Sequence, residues 1–314
     1  MEGAISVDEF LRRLRWPLAR RLAIHPGGDE RSRVRGAGLE YSDVREYQPG
    51  DDPRTIDWNI TARSDRTYVR ESLPDRGIDA WLLIDLTRSL DWGTARCLKR
   101  QLSLQVAVLA GRLLVQRGNR VGALLFDRRV HTVIRPMAGR TALLRLLARV
   151  ERAAAAMPPG PTDLGRALRE ANRLLRRPSL VIVISDFLSD GGWQQPIQWL
   201  GLRHELFAAW ITDPREHEIP DVGVVTFEDP ESGRQLVVDT ADARLRARFL
   251  EAAGHQRRLL REELARARAA VMELTTGEDV VPQLVRFLQR RRAEARVRTT
   301  SAVPVSASLQ VMQP

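Results

Sequence analysis

Asp85, Thr87 and Ser89 follow one another in an Asp-x-Thr-x-Ser spacing, directly after the apolar run 80–84. One carboxylate and two neutral hydroxyls in a single tight turn form an oxygen donor set. Such a set suits a hard divalent cation, Mg²⁺ or Mn²⁺, which keeps some of its waters. Two other stretches carry matching chemistry. Thr162 stands beside Asp163 in GPTDLGRAL, and Asp186 follows the apolar run 180–184 and Ser185. Each residue also has a plain structural role: strands often end in polar turn residues, Thr162 can cap a helix, and Asp186 can start a loop. Their order along alternating strands and helices is what unites them. The set is mostly hydroxyl, from Thr87, Ser89 and Thr162, with the carboxylates of Asp85 and Asp186 beside it. Mostly neutral direct ligands leave the ion electrophilic and keep a position open for a partner's carboxylate.

The elements that must position these residues read as an α/β domain. Apolar runs at 80–85, 121–126, 180–184 and 205–212 predict buried strands, and short runs at 130–134 and 271–274 predict two more. Between them lie helical patterns over 94–116, 141–156, 164–175, 193–200, 242–270 and 279–292, the long one with a break expected at Gly254. Gly118 is placed to close the first of these. A hairpin is expected over 223–238, and a short strand begins at Tyr68. In open α/β sheets, ligands sit beyond the carboxyl ends of the strands, where Asp85 and Asp186 both fall.

Composition narrows the class. The chain has 314 residues, 43% of them hydrophobic and 29% charged, enough for a sizeable core and ordinary for a soluble fold. Its net charge of +10 comes almost wholly from arginine, since lysine is scarce. The basic residues are spread along the chain rather than interleaved with aromatics, which reads as solvated surface rather than a specific nucleic-acid face. The single cysteine, Cys97, precludes an internal disulfide. No stretch reaches the ~18 apolar residues of a membrane span, so a cytoplasmic location is expected. Residues 1–24 read as a basic amphipathic helix that packs on the domain or a partner, with anionic lipid as the alternative. The five histidines are scattered, and no phosphate-binding Gly-rich loop with Lys-Ser/Thr occurs. Without an evident base, an enzyme is not expected; a metal-dependent hydrolase and a basic nucleic-acid binder are the alternatives.

The Asp85, Thr87, Ser89, Thr162 and Asp186 set resembles the metal-ion-dependent adhesion site of von Willebrand factor A domains, with Thr87 where that motif usually has Ser; that resemblance implies that Thr87, Ser89 and Thr162 touch the metal and that Asp85 and Asp186 hold its waters. Upstream, RGAGLEYSDVREYQPGDDPRTIDWNITAR followed by YVRE is similar to the signature of a bacterial family, domain of unknown function 58. The resemblance implies a von Willebrand A-like, doubly wound, mostly parallel sheet flanked by helices and preceded by an irregular or β segment. The chain is expected to divide into 1–30, an N-terminal helix and linker; 31–77, the signature packed on the sheet; 78–298, the von Willebrand A-like α/β domain with C-terminal helices; and 299–314, a low-complexity disordered tail. The resemblance also implies a MoxR-type AAA+ ATPase as partner, in assembly or activation of other proteins. Asp51, Asp52 and Asp57 alternate with Arg45, Arg54 and Arg63 around Trp58, and read as an ion-pair network pinning the segment. The alternative is a recognition surface anchored on Trp58.

A net charge of +10 must attract DNA at low salt whatever the function is. Gel-shift titration is expected to find weak, sequence-independent binding, indifferent to chelator and largely gone by ~150 mM salt. Sequence-selective binding that survives that salt would overturn the adaptor expectation.

Overall fold

The computed structural model describes residues 44–47, 56, 58–64, 66–70, 77–156, 163–189, 191–228 and 235–301. Its centre is a six-stranded sheet built from β3 (Asp79–Asp85), β4 (Arg120–Phe126), β5 (Val130–Met137), β6 (Leu180–Ser185), β7 (Glu205–Thr212) and β10 (Ala270–Thr275), in the order β10-β7-β6-β3-β4-β5. Every neighbouring pair is parallel except β4 and β5, which form an antiparallel hairpin at one edge. Two smaller antiparallel pairs are β1 (Val44–Glu46) with β2 (Tyr68–Arg70), and β8 (Val224–Glu228) with β9 (Gln235–Asp239).

The continuous apolar strands are explained by burial on both faces. Ala80, Leu82 and Ile84 of β3 point to one side, where they meet helices α2 (Lys99–Gln116), α3 (Arg140–Ala155) and α7 (Val280–Ser301). Trp81 and Leu83 point to the other, against α4 (Leu164–Leu174), α5 (Gln194–Arg203) and α6 (Ala243–Arg266). A short helix, α1 (Trp58–Thr61), precedes the sheet. The result is the mostly parallel, doubly wound sheet expected from the strand pattern. Its direction of winding reverses at β3: the chain runs from β3 to β4 on one side, then returns to β6 on the other. The crevice between the carboxyl ends of β3 and β6 is therefore the switch point of the sheet.

Several boundaries differ from the sequence reading. Residues 94–98 are not helical; α2 begins at Lys99, because the preceding loop folds back and Lys99 N–H donates to the Trp92 carbonyl at 2.8 Å. Helix α6 continues through Gly254, where the helix lacks a Cβ but keeps its backbone ladder. Helix α7 extends to Ser301, past the predicted start of a disordered tail. Trp58 is 69% exposed, as the alternative reading of a recognition surface requires. Asp57, Thr162 and the N-terminal segment 1–24 lie outside the described residues. Among the described residues, no helix is long and apolar enough to cross a membrane.

Helices α5 and α6 meet where Gly201 faces the chain just after α6: a Cβ on Gly201 would lie 1.8 Å from the Ala267 carbonyl oxygen. Gly201→Ala must force that backbone apart, and urea denaturation is expected to show a loss of about 1–3 kcal/mol. Unchanged stability would mean that the contact is not a close one.

Candidate metal centre at the carboxyl edge of the sheet

Asp85 is the last residue of β3 and is fully covered. Its Oδ1 accepts the Thr87 N–H at 2.9 Å and the Thr87 hydroxyl at 2.7 Å. Beyond Thr87 a 3₁₀ turn, Arg88–Asp91, folds the chain back, and Leu90, completely buried, donates its N–H to the Thr87 carbonyl. That turn sets Ser89 Oγ 3.0 Å from Thr87 Oγ1. The Leu86 N–H bonds to the Phe126 carbonyl, tying the turn to the end of β4. Three of the predicted donors thus stand together, with Ser89 the most accessible of them at 9% exposure.

The neighbouring strand supplies the rest. Ser185 ends β6, and its hydroxyl donates to Asp85 Oδ2 at 2.6 Å while accepting the Phe187 N–H at 3.0 Å. Phe187 has φ of +58°, a left-handed conformation that a bulky side chain adopts only where packing holds it. Here the ring is buried against Trp193, with centroids 5.7 Å apart. The chain reverses there, and Asp186 stays beneath the loop, 1% exposed. Its Oδ1 accepts the Leu188 N–H at 3.1 Å, and its Oδ2 accepts Lys99 Nζ at 2.8 Å.

Lys99 opens α2 and is itself 1% exposed. The same ammonium lies 2.5 Å from Glu216 Oε1 and 5.7 Å from the centre of the Trp92 ring. Burial works against its charge, but Asp186 and Glu216 outweigh that and hold its pKa above the ordinary lysine value. Glu216 in turn accepts the Asp213 N–H through Oε2 at 3.1 Å, closing a capped 3₁₀ turn, Pro214–Glu216, after β7. Asp213 accepts from the Thr94 N–H, the Thr94 and Thr276 hydroxyls and the Arg215 N–H. Burial pushes its carboxyl up, yet those hydrogen bonds prevail and hold it below the usual range. Two polar clusters therefore lie side by side across the ends of the strands: Asp85 with Thr87, Ser89 and Ser185, and Asp186 with Lys99, Glu216 and Asp213.

The electrostatic imbalance is concentrated on Asp85. Burial above all, and then the charge of Asp186, push its carboxyl up to about 7, against the hydrogen bonds from Ser185 and Thr87. An oxygen-only donor set of one strained carboxylate and clustered hydroxyls fits a hard divalent cation, and one placed here would relieve that imbalance. Among the described residues no three His, Cys, Asp or Glu side chains gather as a metal cage, so hydroxyls would have to do most of the binding. Of the predicted set, Asp85, Thr87, Ser89 and Asp186 come together at one edge. Thr162 lies outside the described residues; its neighbour Asp163 donates its N–H to the Asp127 carbonyl just after β4. Asp163, rather than Thr162, caps α4, accepting the Arg166 N–H at 2.7 Å.

Lys99, Ser185, Asp213 and Glu216 were not singled out by sequence reasoning. Lys99 did carry a signal: it is the one lysine among 50 basic residues. Glu216 and Asp213 carried none, since only the fold brings the end of β7 alongside that of β6.

A carboxyl whose folded pKa is raised adds its stability below the unfolded value near 3.8 and loses it as pH rises through about 7. With divalent ions chelated, Asp85→Asn should remove that loss. The variant is expected to gain on the wild type by up to on the order of 4 kcal/mol between pH 4 and 7, measured by denaturant titration. A difference that stays flat with pH would contradict this assignment.

Comparison with known proteins agrees with the family signature read in the sequence. The family described as "Protein of unknown function DUF58" matches residues 43–259. An uncharacterized protein of Mycobacterium tuberculosis is 37% identical over 274 residues, covering 85% of this chain and 84% of its own length. A second, from Mycobacterium avium, is 36% identical over 156 residues, 49% of this chain and 88% of its own. Among solved structures, the conserved hypothetical protein BatB from Bacteroides thetaiotaomicron aligns over 69% of this chain and 100% of its own, with a TM-score of 0.45 and 15% identity. That likeness is too low to bear on function. The extent of the family match and the identity to the mycobacterial relative lead to one conclusion: this chain belongs to the DUF58 family.

Proposed function

We propose that this protein is a non-enzymatic, metal-dependent interaction adaptor. In this reading Mg²⁺ or Mn²⁺ is held by the hydroxyls of Thr87, Ser89 and Thr162, with Asp85 and Asp186 supporting it through waters. A partner protein completes the coordination with a carboxylate. The observation that carries the reading is the Asp85–Thr87–Ser89–Ser185 cluster at the switch point, in which every donor is oxygen and most are neutral. A hydrolase would need a base positioned to activate water. The histidines with shifted pKa values, His204 and His217, are both pushed down chiefly by burial and belong to no such arrangement with Asp85. The working partner is a MoxR-type AAA+ ATPase, on the strength of the family resemblance, in the assembly or activation of other proteins. A cytoplasmic location goes with that role.

The expected outcome is one divalent ion per chain by calorimetry, lost in Asp85→Ala while circular dichroism stays native. Co-purification with the ATPase should likewise require Mg²⁺ and disappear with chelator. Equal ion affinity in wild type and Asp85→Ala would sink the metal reading; capture indifferent to chelator would sink the adaptor mechanism.

A further inference from the structure

Lys99 is the single lysine of a chain that otherwise uses arginine 49 times. It is not on the surface with the arginines but buried beside the candidate metal centre, between Asp186 and Glu216 and near the face of Trp92. We propose that Lys99 is a tethered cation that balances this centre, fixing Asp186 and Glu216 and setting how tightly the site takes a single divalent ion. The inference rests on the metal reading above and adds a positioning and specificity-determining residue to it.

The choice of lysine has a physical reason. Guanidinium is a planar fork with five donors that all need partners, whereas ammonium is a compact point charge with three donors on a flexible stem. Two carboxylate oxygens at 2.8 and 2.5 Å and an aromatic face at 5.7 Å form an enclosure that suits the compact ion. Compactness is also what distinguishes a hard metal cation, so the edge of the sheet is built for small concentrated charges.

The balance of charge gives the proposal its content. Lys99 meets two carboxylates, Asp186 and Glu216, while Asp85 on the adjacent strand is met only by neutral donors; with all three carboxylates ionised, two negative charges remain against one ammonium. That is the charge of a single divalent ion. Asp213, the next carboxylate along the edge, is already met by neutral donors from Thr94, Thr276 and Arg215. Lys99 also binds together the loops that follow β3, β6 and β7. Its backbone N–H closes the 92–99 loop, Asp186 follows β6, and Glu216 caps the turn after β7. Lys99 and Asp186 are almost completely buried, so their charges are poorly screened, and Lys99 acts on an ion placed beside Asp85 through Asp186.

The test compares Lys99→Met with Glu216→Gln in the full chain, by calorimetric titration with MgCl₂ and MnCl₂ alone. Circular dichroism and melting with and without chelator accompany each titration. Removing the ammonium leaves more negative charge, so Lys99→Met should bind the ion at least ~10-fold more tightly and melt lower only when chelator is present. Removing a carboxylate should do the reverse, so Glu216→Gln should bind the ion at least ~10-fold more weakly. A merely structural Lys99 would weaken binding in both, so the opposite signs are diagnostic. Unchanged or weaker binding in folded Lys99→Met overturns the proposal. If that variant does not fold even with Mn²⁺, Glu216→Gln decides, and unchanged affinity there overturns it. Ion binding in Lys99→Met but not in wild type would support the tethered cation and overturn the adaptor reading alone. No binding in either protein would overturn both.

Discussion

Two carboxylates buried on adjacent strands govern the carboxyl edge of the sheet. Asp85 ends β3, Asp186 follows β6, and each is only 1% exposed. Uncompensated charge in such a place is costly, so each carboxylate must be met by donors, by a cation or by a proton. The structure uses different solutions for the two. Asp186 receives the Lys99 ammonium and a backbone N–H, whereas Asp85 receives only neutral donors from Thr87 and Ser185. The carboxylate without a cation is the one whose pKa rises. That asymmetry is what makes the Asp85 side of the edge suitable for an external ion.

The fold makes this arrangement possible by confining polar chemistry to one place. Strands β3, β4, β6 and β7 are apolar along most of their length and are covered by helices on both faces. Polar side chains gather where the strands end, and the reversal of winding at β3 opens a crevice there. The loops over that crevice are strongly constrained. The 3₁₀ turn at Arg88–Asp91 is anchored by Leu90, and the turn after β6 by Phe187 on Trp193. The 92–98 loop is anchored by Asp213 through Thr94. Hydroxyls held this firmly are preorganised, so little reordering would accompany ligand binding.

Basic residues are partitioned in a way that fits the same logic. Arginine supplies solvated pairs such as Arg286 with Glu278 and Arg266 with Glu263, and it stacks over Trp210 and Phe207 through Arg257 and Arg291. Exposed pairs of this kind contribute little to stability. The lone lysine is kept for the interior, where a compact charge with few donors is easier to satisfy.

The sequence by itself determined the class of fold, because hydrophobic runs of strand length, alternating with helical periodicity, leave few alternatives to a covered parallel sheet. It also determined Asp85, Thr87 and Ser89 as a unit, since their spacing within one turn is a local property of the chain. Asp186 was legible as the polar end of a second buried strand. Adjacency was not legible: nothing local says that β6 lies beside β3, or that the turn after β7 comes alongside both. The start of α2 at Lys99 was misread for the same reason, because the loop before it is held by Asp213 and Thr276, more than a hundred residues away. Only the tertiary structure decided that Lys99 and Glu216 belong to the site. Charge balance in a buried cluster is a sum over strands far apart in sequence, and it exists only once the sheet has brought them together.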